Sequence, residues 1–219
     1  MTDNSLSTRA LSEVLGTAML LATIVGSGIM ADALSGGNAA VALLANSVAT
    51  GAILVVLITL FGTISGAHFN PAVSLVAMLS GKLPLIAFAV YVTAQMAGAL
   101  AGVQLAHIMF DQPVMQVSET TRTGSGQWVS EIVATFGLVL AILLAERNRP
   151  EWIGLVVGLY ITSAYWFTAS TSFANPAVTV ARSATNTFAG IAPASAPAFI
   201  AAQLAGAMLA LAVARYFAR

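Results

Sequence analysis

Ser65-Gly66-Ala67-His68-Phe69-Asn70-Pro71-Ala72-Val73 lies between two long apolar runs, and its centre recurs in the other half of the chain as Asn175-Pro176-Ala177-Val178. An amide and a proline are poorly tolerated in hydrocarbon unless the backbone breaks there and lines a polar cavity. Proline suits the first turn of a helix, where its missing N–H costs nothing. The apolar segments that begin at Pro71 and Pro176 run over 71–79 and 176–184, about half of the ~20 residues that cross a bilayer. Each motif therefore reads as the start of a half-helix that enters the membrane and stops.

The surrounding composition agrees. Hydrophobic residues make up 58% of the chain and charged residues 7%, against about 25% charged in a soluble domain, so lipid is the main solvent. Net charge is zero and no basic run exists, which excludes a nucleic-acid surface. The absence of cysteine removes disulfides, thiolate metal sites and cysteine nucleophiles. His68 and His107 have no acidic cluster to complete a metal site, and no nucleophile–base set is present. The expectation is a protein without metal or cofactor that is not an enzyme.

Six stretches are long and apolar enough to span: 11–31, 41–64, 84–108, 128–146, 152–170 and 195–216. The largely polar first ten residues lead straight into the first of them without a convincing cleavage site, so it reads as a retained span and not a signal peptide. Ser12-Glu13-Val14 in the first span matches Ser130-Glu131-Ile132 in the fourth. Ala94-Gln95-Met96-Ala97-Gly98-Ala99 in the third matches Ala202-Gln203-Leu204-Ala205-Gly206-Ala207 in the sixth. The chain is thus read as one domain, 1–219, built from two repeats at about 11–108 and 128–216. Three spans per repeat invert the second copy, which places a functional site at the midplane between the repeats. The fold class expected is an all-α membrane protein of six transmembrane helices and two re-entrant half-helices in an inverted 3+3 arrangement.

With the N-terminus inside, Arg9, Lys82, Arg147, Arg149, Arg215 and Arg219 are cytoplasmic, and only Arg122 and Arg182 are not. That bias predicts cytoplasmic termini. Gly16, Gly51, Gly62, Gly98, Gly102, Gly154, Gly158 and Gly206 read as close-packing positions between spans.

Two Asn-Pro-Ala motifs at matching places in an inverted repeat resemble the aquaporin, or major intrinsic protein, family over essentially the whole chain. The resemblance implies a passive, cofactor-free channel in a bacterial inner membrane, one pore per subunit of a homotetramer. Its half-helices would meet tip to tip, their positive dipole ends opposing cations and protons. Asn70, Pro71, Ala72, Asn175, Pro176 and Ala177 would form the pore centre, with each Asn both capping its half-helix and presenting an amide to the permeant. Carbonyls of 66–68 and 171–173 would add acceptors. Glu13 and Glu131, costly in a membrane, are implied to be buried structural acids that hold the re-entrant loops. His68 reads as structural and His107 as interfacial.

One departure bears on selectivity. Most members carry arginine directly after the second motif, and this chain has Val178. Alignment back from the two motifs puts the other selectivity-filter positions at Thr50, Ser163 and Ser172, the last two shifting by one if 170–174 holds an insertion. Four small side chains predict a wider opening without a fixed positive charge, unless Phe173, Trp166 or Phe167 refill it. Arg182, one helical turn beyond Val178, either reaches the vestibule, or snorkels to the interface or supports the loop containing Asn186. The run 175–191 resembles a bacterial branch associated with arsenic-resistance genes. The expected substrates are therefore small neutral solutes: arsenite as As(OH)₃, methylated arsenicals and glycerol-like polyols, with water. A water-selective pore with an atypical filter is the alternative. A coupled transporter would need further ionisable midplane residues, which the sequence lacks.

Overall fold

The computed structural model describes residues 4–217, and Arg219 of the charge count lies outside them. Eight α-helices follow in order: α1 (Leu6–Leu34), α2 (Ala39–Ser65), α3 (Pro71–Leu79), α4 (Leu85–Met109), α5 (Ser125–Asn148), α6 (Ile153–Phe167), α7 (Pro176–Arg182) and α8 (Ala196–Phe217). No strand occurs among the described residues.

The helix ends follow from local chemistry. Ser5 and Asn38 accept hydrogen bonds from the first-turn amides of α1 and α2. Gly66 closes α2 in the left-handed conformation at φ +89°. Pro71 and Pro176 occupy the first turns of α3 and α7, each capped by the preceding asparagine. The second half-helix ends at Arg182, two residues short of the expected 184.

Five helices are long and apolar enough to cross a membrane by length and composition. The remaining predicted span is shorter than expected: α6 has 15 residues, a rise of about 22 Å. A 3₁₀ turn over Pro150–Trp152 leads into it, and Thr168 to Ser170 belong to the following loop, not to the helix.

Burial is inverted relative to a water-soluble protein. Leu15, Met19, Leu44, Leu60 and Leu159 stand exposed, whereas Glu13, Gln95, Glu131 and Gln203 are fully buried. Polar side chains in lipid face the bundle interior. The tightest helix contacts, α1 against α4 and α5 against α8, occupy equivalent places in the two repeats. A Cβ at Gly98 would lie 2.3 Å from the Val14 carbonyl oxygen, and one at Gly206 would lie 2.3 Å from that of Ile132. Hydrogen is the only side chain that permits this approach. Gly62 is different, for nothing lies near the position its Cβ would take.

Candidate pore

Two loops, 66–70 and 171–175, deliver the half-helices to the centre, where α3 and α7 touch. Both loops need unusual backbone. Gly66, Ala67 and Phe69 take positive φ in the first loop, and Thr171, Ser172 and Ala174 do so in the second. Left-handed conformations cost a non-glycine residue roughly 1–2 kcal/mol each, so something must hold them. The two buried glutamates do. Glu13 accepts the amides of His68 (3.0 Å) and Phe69 (2.7 Å). Glu131 accepts those of Phe173 and Ala174, both at 2.9 Å.

A glutamine in each repeat completes the clamp. Gln95 donates to Glu13 (2.8 Å) and to Ser74 Oγ (2.9 Å). Gln203 donates to Glu131 (2.6 Å) and to Thr179 Oγ1 (2.8 Å). Both carboxylates are therefore spent on loops and helices and stand behind the pore wall.

The asparagines bind the loops to each other. Asn70 Nδ2 donates to the Ala174 carbonyl and Asn175 Nδ2 to that of Phe69, each at 2.8 Å. Their Oδ1 atoms accept from Ala72 and Ala177 at 2.9 Å, the N-cap bonds of the two half-helices. Pro71, Pro176, Ala72 and Ala177 are buried at the paired tips.

A narrow cavity of about 60 Å³ passes these tips. One wall is apolar and made of equivalent residues from the two repeats, Leu20 and Ile24 on α1 against Leu138 and Ile142 on α5. The polar edge carries His68, Asn70, Asn175, Ser172, Thr50 and Tyr165. No carboxylate lines it.

Thr50, Ser172 and Val178 line this cavity, and Ser163 does not. Ser163 is exposed on the outer face of α6, its hydroxyl donating to the Tyr160 carbonyl at 2.8 Å. The cavity-facing residues of that helix are Val157, Ile161 and Tyr165, a four-residue spacing that leaves 163 on the far side. A register shift of one does not repair the alignment. Tyr165 faces the cavity from this helix instead, with its hydroxyl 3.3 Å from that of Thr50. Trp166 and Phe167 point outward, about half exposed, while Phe173 is buried in the cavity wall.

Arg182 also lines the cavity, 3% exposed. Its Nε donates to the Ala189 carbonyl, and its guanidinium lies 3.5 Å from the centroid of Phe173. It braces the following loop and faces the cavity at once, and, buried as it is, it does not snorkel to the interface. Asn186 instead accepts from the Glu119 amide. His107 is fully buried and not interfacial; its ring nitrogens meet the Val114 carbonyl and Thr185 Oγ1.

A family model described as "Major intrinsic protein" matches residues 1–169, which include the first motif. The chain belongs to the major intrinsic protein family. Aquaglyceroporin AqpS of Rhizobium meliloti (strain 1021) is 59% identical over 216 residues, covering 99% of this chain and 92% of that protein. Aquaporin NIP2-3 of Zea mays is 34% identical over 195 residues, 85% of this chain and 63% of the maize protein. The aquaglyceroporin structure from Plasmodium falciparum superposes with a TM-score of 0.72 at 22% identity, covering 95% of each chain, a likeness of fold. As a member of this family, the protein is a multi-pass membrane channel for water and small solutes and not an enzyme.

Three residues of the site escaped sequence reasoning. Gln95 and Gln203 stood in the matched Ala-Gln-x-Ala-Gly-Ala segments, and a polar residue repeated within two apolar spans was the signal available. Tyr165 gave no such signal, because α6 carries no motif that fixes its rotation.

Proposed function

We propose that the protein is a passive channel for small neutral polyhydroxylated solutes, arsenite as uncharged As(OH)₃, methylated arsenicals and glycerol-like polyols, with water moving alongside. One observation carries this reading. The polar edge of the cavity is built from hydroxyl- and amide-bearing residues, Thr50, Tyr165, Ser172, Asn70 and Asn175, with no carboxylate among its lining. Hydroxyls and amides of this kind supply donors and acceptors to a solute that carries several hydroxyls itself. Leu20, Leu138 and their neighbours on the opposite wall exclude ions that need a full hydration shell.

Passive transport is favoured because Glu13 and Glu131 are committed to backbone amides, leaving no cavity-lining acid to carry a coupled proton. Thr50, Tyr165, Ser172 and Val178 form the constriction, with Arg182 one turn outward. We assign the chain to a bacterial inner membrane as a homotetramer with both termini cytoplasmic; six cytoplasmic cations against two support the orientation.

A water-selective pore is the second reading, favoured by Tyr165, Phe173 and Arg182 crowding one narrow cavity. Stopped-flow permeabilities of reconstituted liposomes for water, glycerol and arsenite decide between them. Glycerol and arsenite fluxes well above those of empty liposomes support the solute channel. Fast water without either solute would overturn it in favour of the water pore.

A further inference from the structure

Arg122 and Arg182 are the two cations that the positive-inside arrangement leaves on the outer side. Arg182 ends α7 and Arg122 lies in the loop between α4 and α5, and the two meet on one ring. The guanidinium carbon of Arg182 is 3.5 Å from the Phe173 centroid, and that of Arg122 is 5.2 Å away. Adjacent carbonyls of a single loop anchor them: Arg182 Nε donates to Ala189, and Arg122 Nε donates to Gly190 at 2.9 Å. The Arg122 amide is fixed as well, donating to Ser195 Oγ at 3.2 Å. Among the described residues the one ion pair is Lys82–Glu146, so neither arginine makes one; the opposite charge whose field reaches both is Glu131, which holds the Phe173 amide.

Gathering two like charges on one aromatic ring without a direct ion pair to either is unfavourable. Neutral donors could brace the same carbonyls. The charge itself is therefore the feature to explain. Phe173 forms the cavity wall, so Arg182 acts on the permeant directly and Arg122 acts from behind the ring, through a medium that screens poorly.

We infer that Arg122 is a specificity-determining residue that, with Arg182, forms a two-arginine barrier against small organic cations at the outer mouth. The inference rests on the proposed neutral-solute channel and deepens it. A pore open to glycerol cannot reject methylammonium by size, so the arginine charges add to the apolar wall and the half-helix dipoles in separating the two. The barrier stands one turn beyond Val178, on a pair of side chains from the end of α7 and the α4–α5 loop.

Liposomes carrying the full chain, assayed for methylammonium, glycerol and water permeability, test this. Arg122→Gln raises the methylammonium-to-glycerol ratio about tenfold, the low end of what a focused charge does to local ion concentration. Arg122→Lys keeps the wild-type ratio. An unchanged ratio in Arg122→Gln, or a lysine variant as leaky as the glutamine one, overturns the inference and leaves Arg122 a loop brace. Should the glutamine variant not reconstitute, Arg122→Met keeps an unbranched stem against the Phe173 ring without the charge, and a wild-type ratio in that variant overturns the inference. If wild-type liposomes pass no glycerol, the neutral-solute reading fails by itself, and methylammonium is then referred to water.

Discussion

Gln203 donates its amide to Glu131 at 2.6 Å, and this contact aims a buried carboxylate at the strained loop before the second motif. Gln95 and Glu13 repeat the arrangement before the first. The repeated sequence thus encodes a repeated tool, an acid from the first helix of each half and an amide from the last. Between them they hold loop conformations that an isolated chain would leave.

Glu131→Gln places an amide where two backbone N–H groups, those of Phe173 and Ala174, now find an anion. Two buried donors lose their charged acceptor, at a cost of about 3 kcal/mol. The variant is expected to melt at lower temperature in detergent micelles and to lose solute flux along with water flux. Glu13→Gln should behave the same way at the first loop. A melting temperature equal to wild type would show that the carboxylate is not the clamp.

The close crossings give a second test, with a control inside the same protein. Gly98→Ala drives a methyl against the Val14 carbonyl oxygen, and overpacking of this kind costs about 1–3 kcal/mol. Gly62→Ala meets nothing and exchanges a poor helix former for the best, worth up to about 1 kcal/mol. Thermal unfolding in micelles should therefore move in opposite directions for the two substitutions. Equal behaviour would remove backbone approach as the reason for Gly98.

The contrast between α3 and α6 explains how far the sequence could be read. Asn70 and Pro71 state their own geometry: an N-cap and a first-turn proline fix where the half-helix begins and which way its amides point. The six apolar stretches likewise follow from hydrocarbon thickness. Ser163 and Tyr165 state nothing of the kind. A helix apolar on most of its surface carries no periodic signal for its rotation, and counting back through the irregular loop 168–175 accumulates error. The rotation of α6 is set by packing instead, where Gly158 meets the backbone of Gly51. Partners distant in sequence, such as Arg122 on Phe173, were beyond motif reading for the same reason.

Val178→Arg restores a cation directly after the second motif. The new side chain starts from a buried cavity-wall position one turn from Arg182, so it must extend into the pore. Glycerol and arsenite permeabilities are expected to fall at least about tenfold relative to water, a barrier rise of about 1.4 kcal/mol. Stopped-flow light scattering on matched liposomes measures both. Equal losses of water and solutes would place the constriction elsewhere along the cavity.

Tyr165→Phe separates the hydroxyl from the ring. The phenol oxygen stands 3.3 Å from Thr50 Oγ1, and Thr50 keeps its bond to the Asn46 carbonyl at 2.8 Å when Tyr165 loses its oxygen. The fold should therefore tolerate the change, and the ring still fills its part of the wall. What is lost is one hydrogen-bonding group for a polyol in transit, worth about 1 kcal/mol or roughly fivefold. Glycerol permeability should drop by about that factor while water, which needs fewer partners at once, drops less. A glycerol-to-water ratio that stays at the wild-type value would show that the pore sorts by width alone, and that the Thr50–Tyr165 hydroxyl pair serves only to pack α2 against α6.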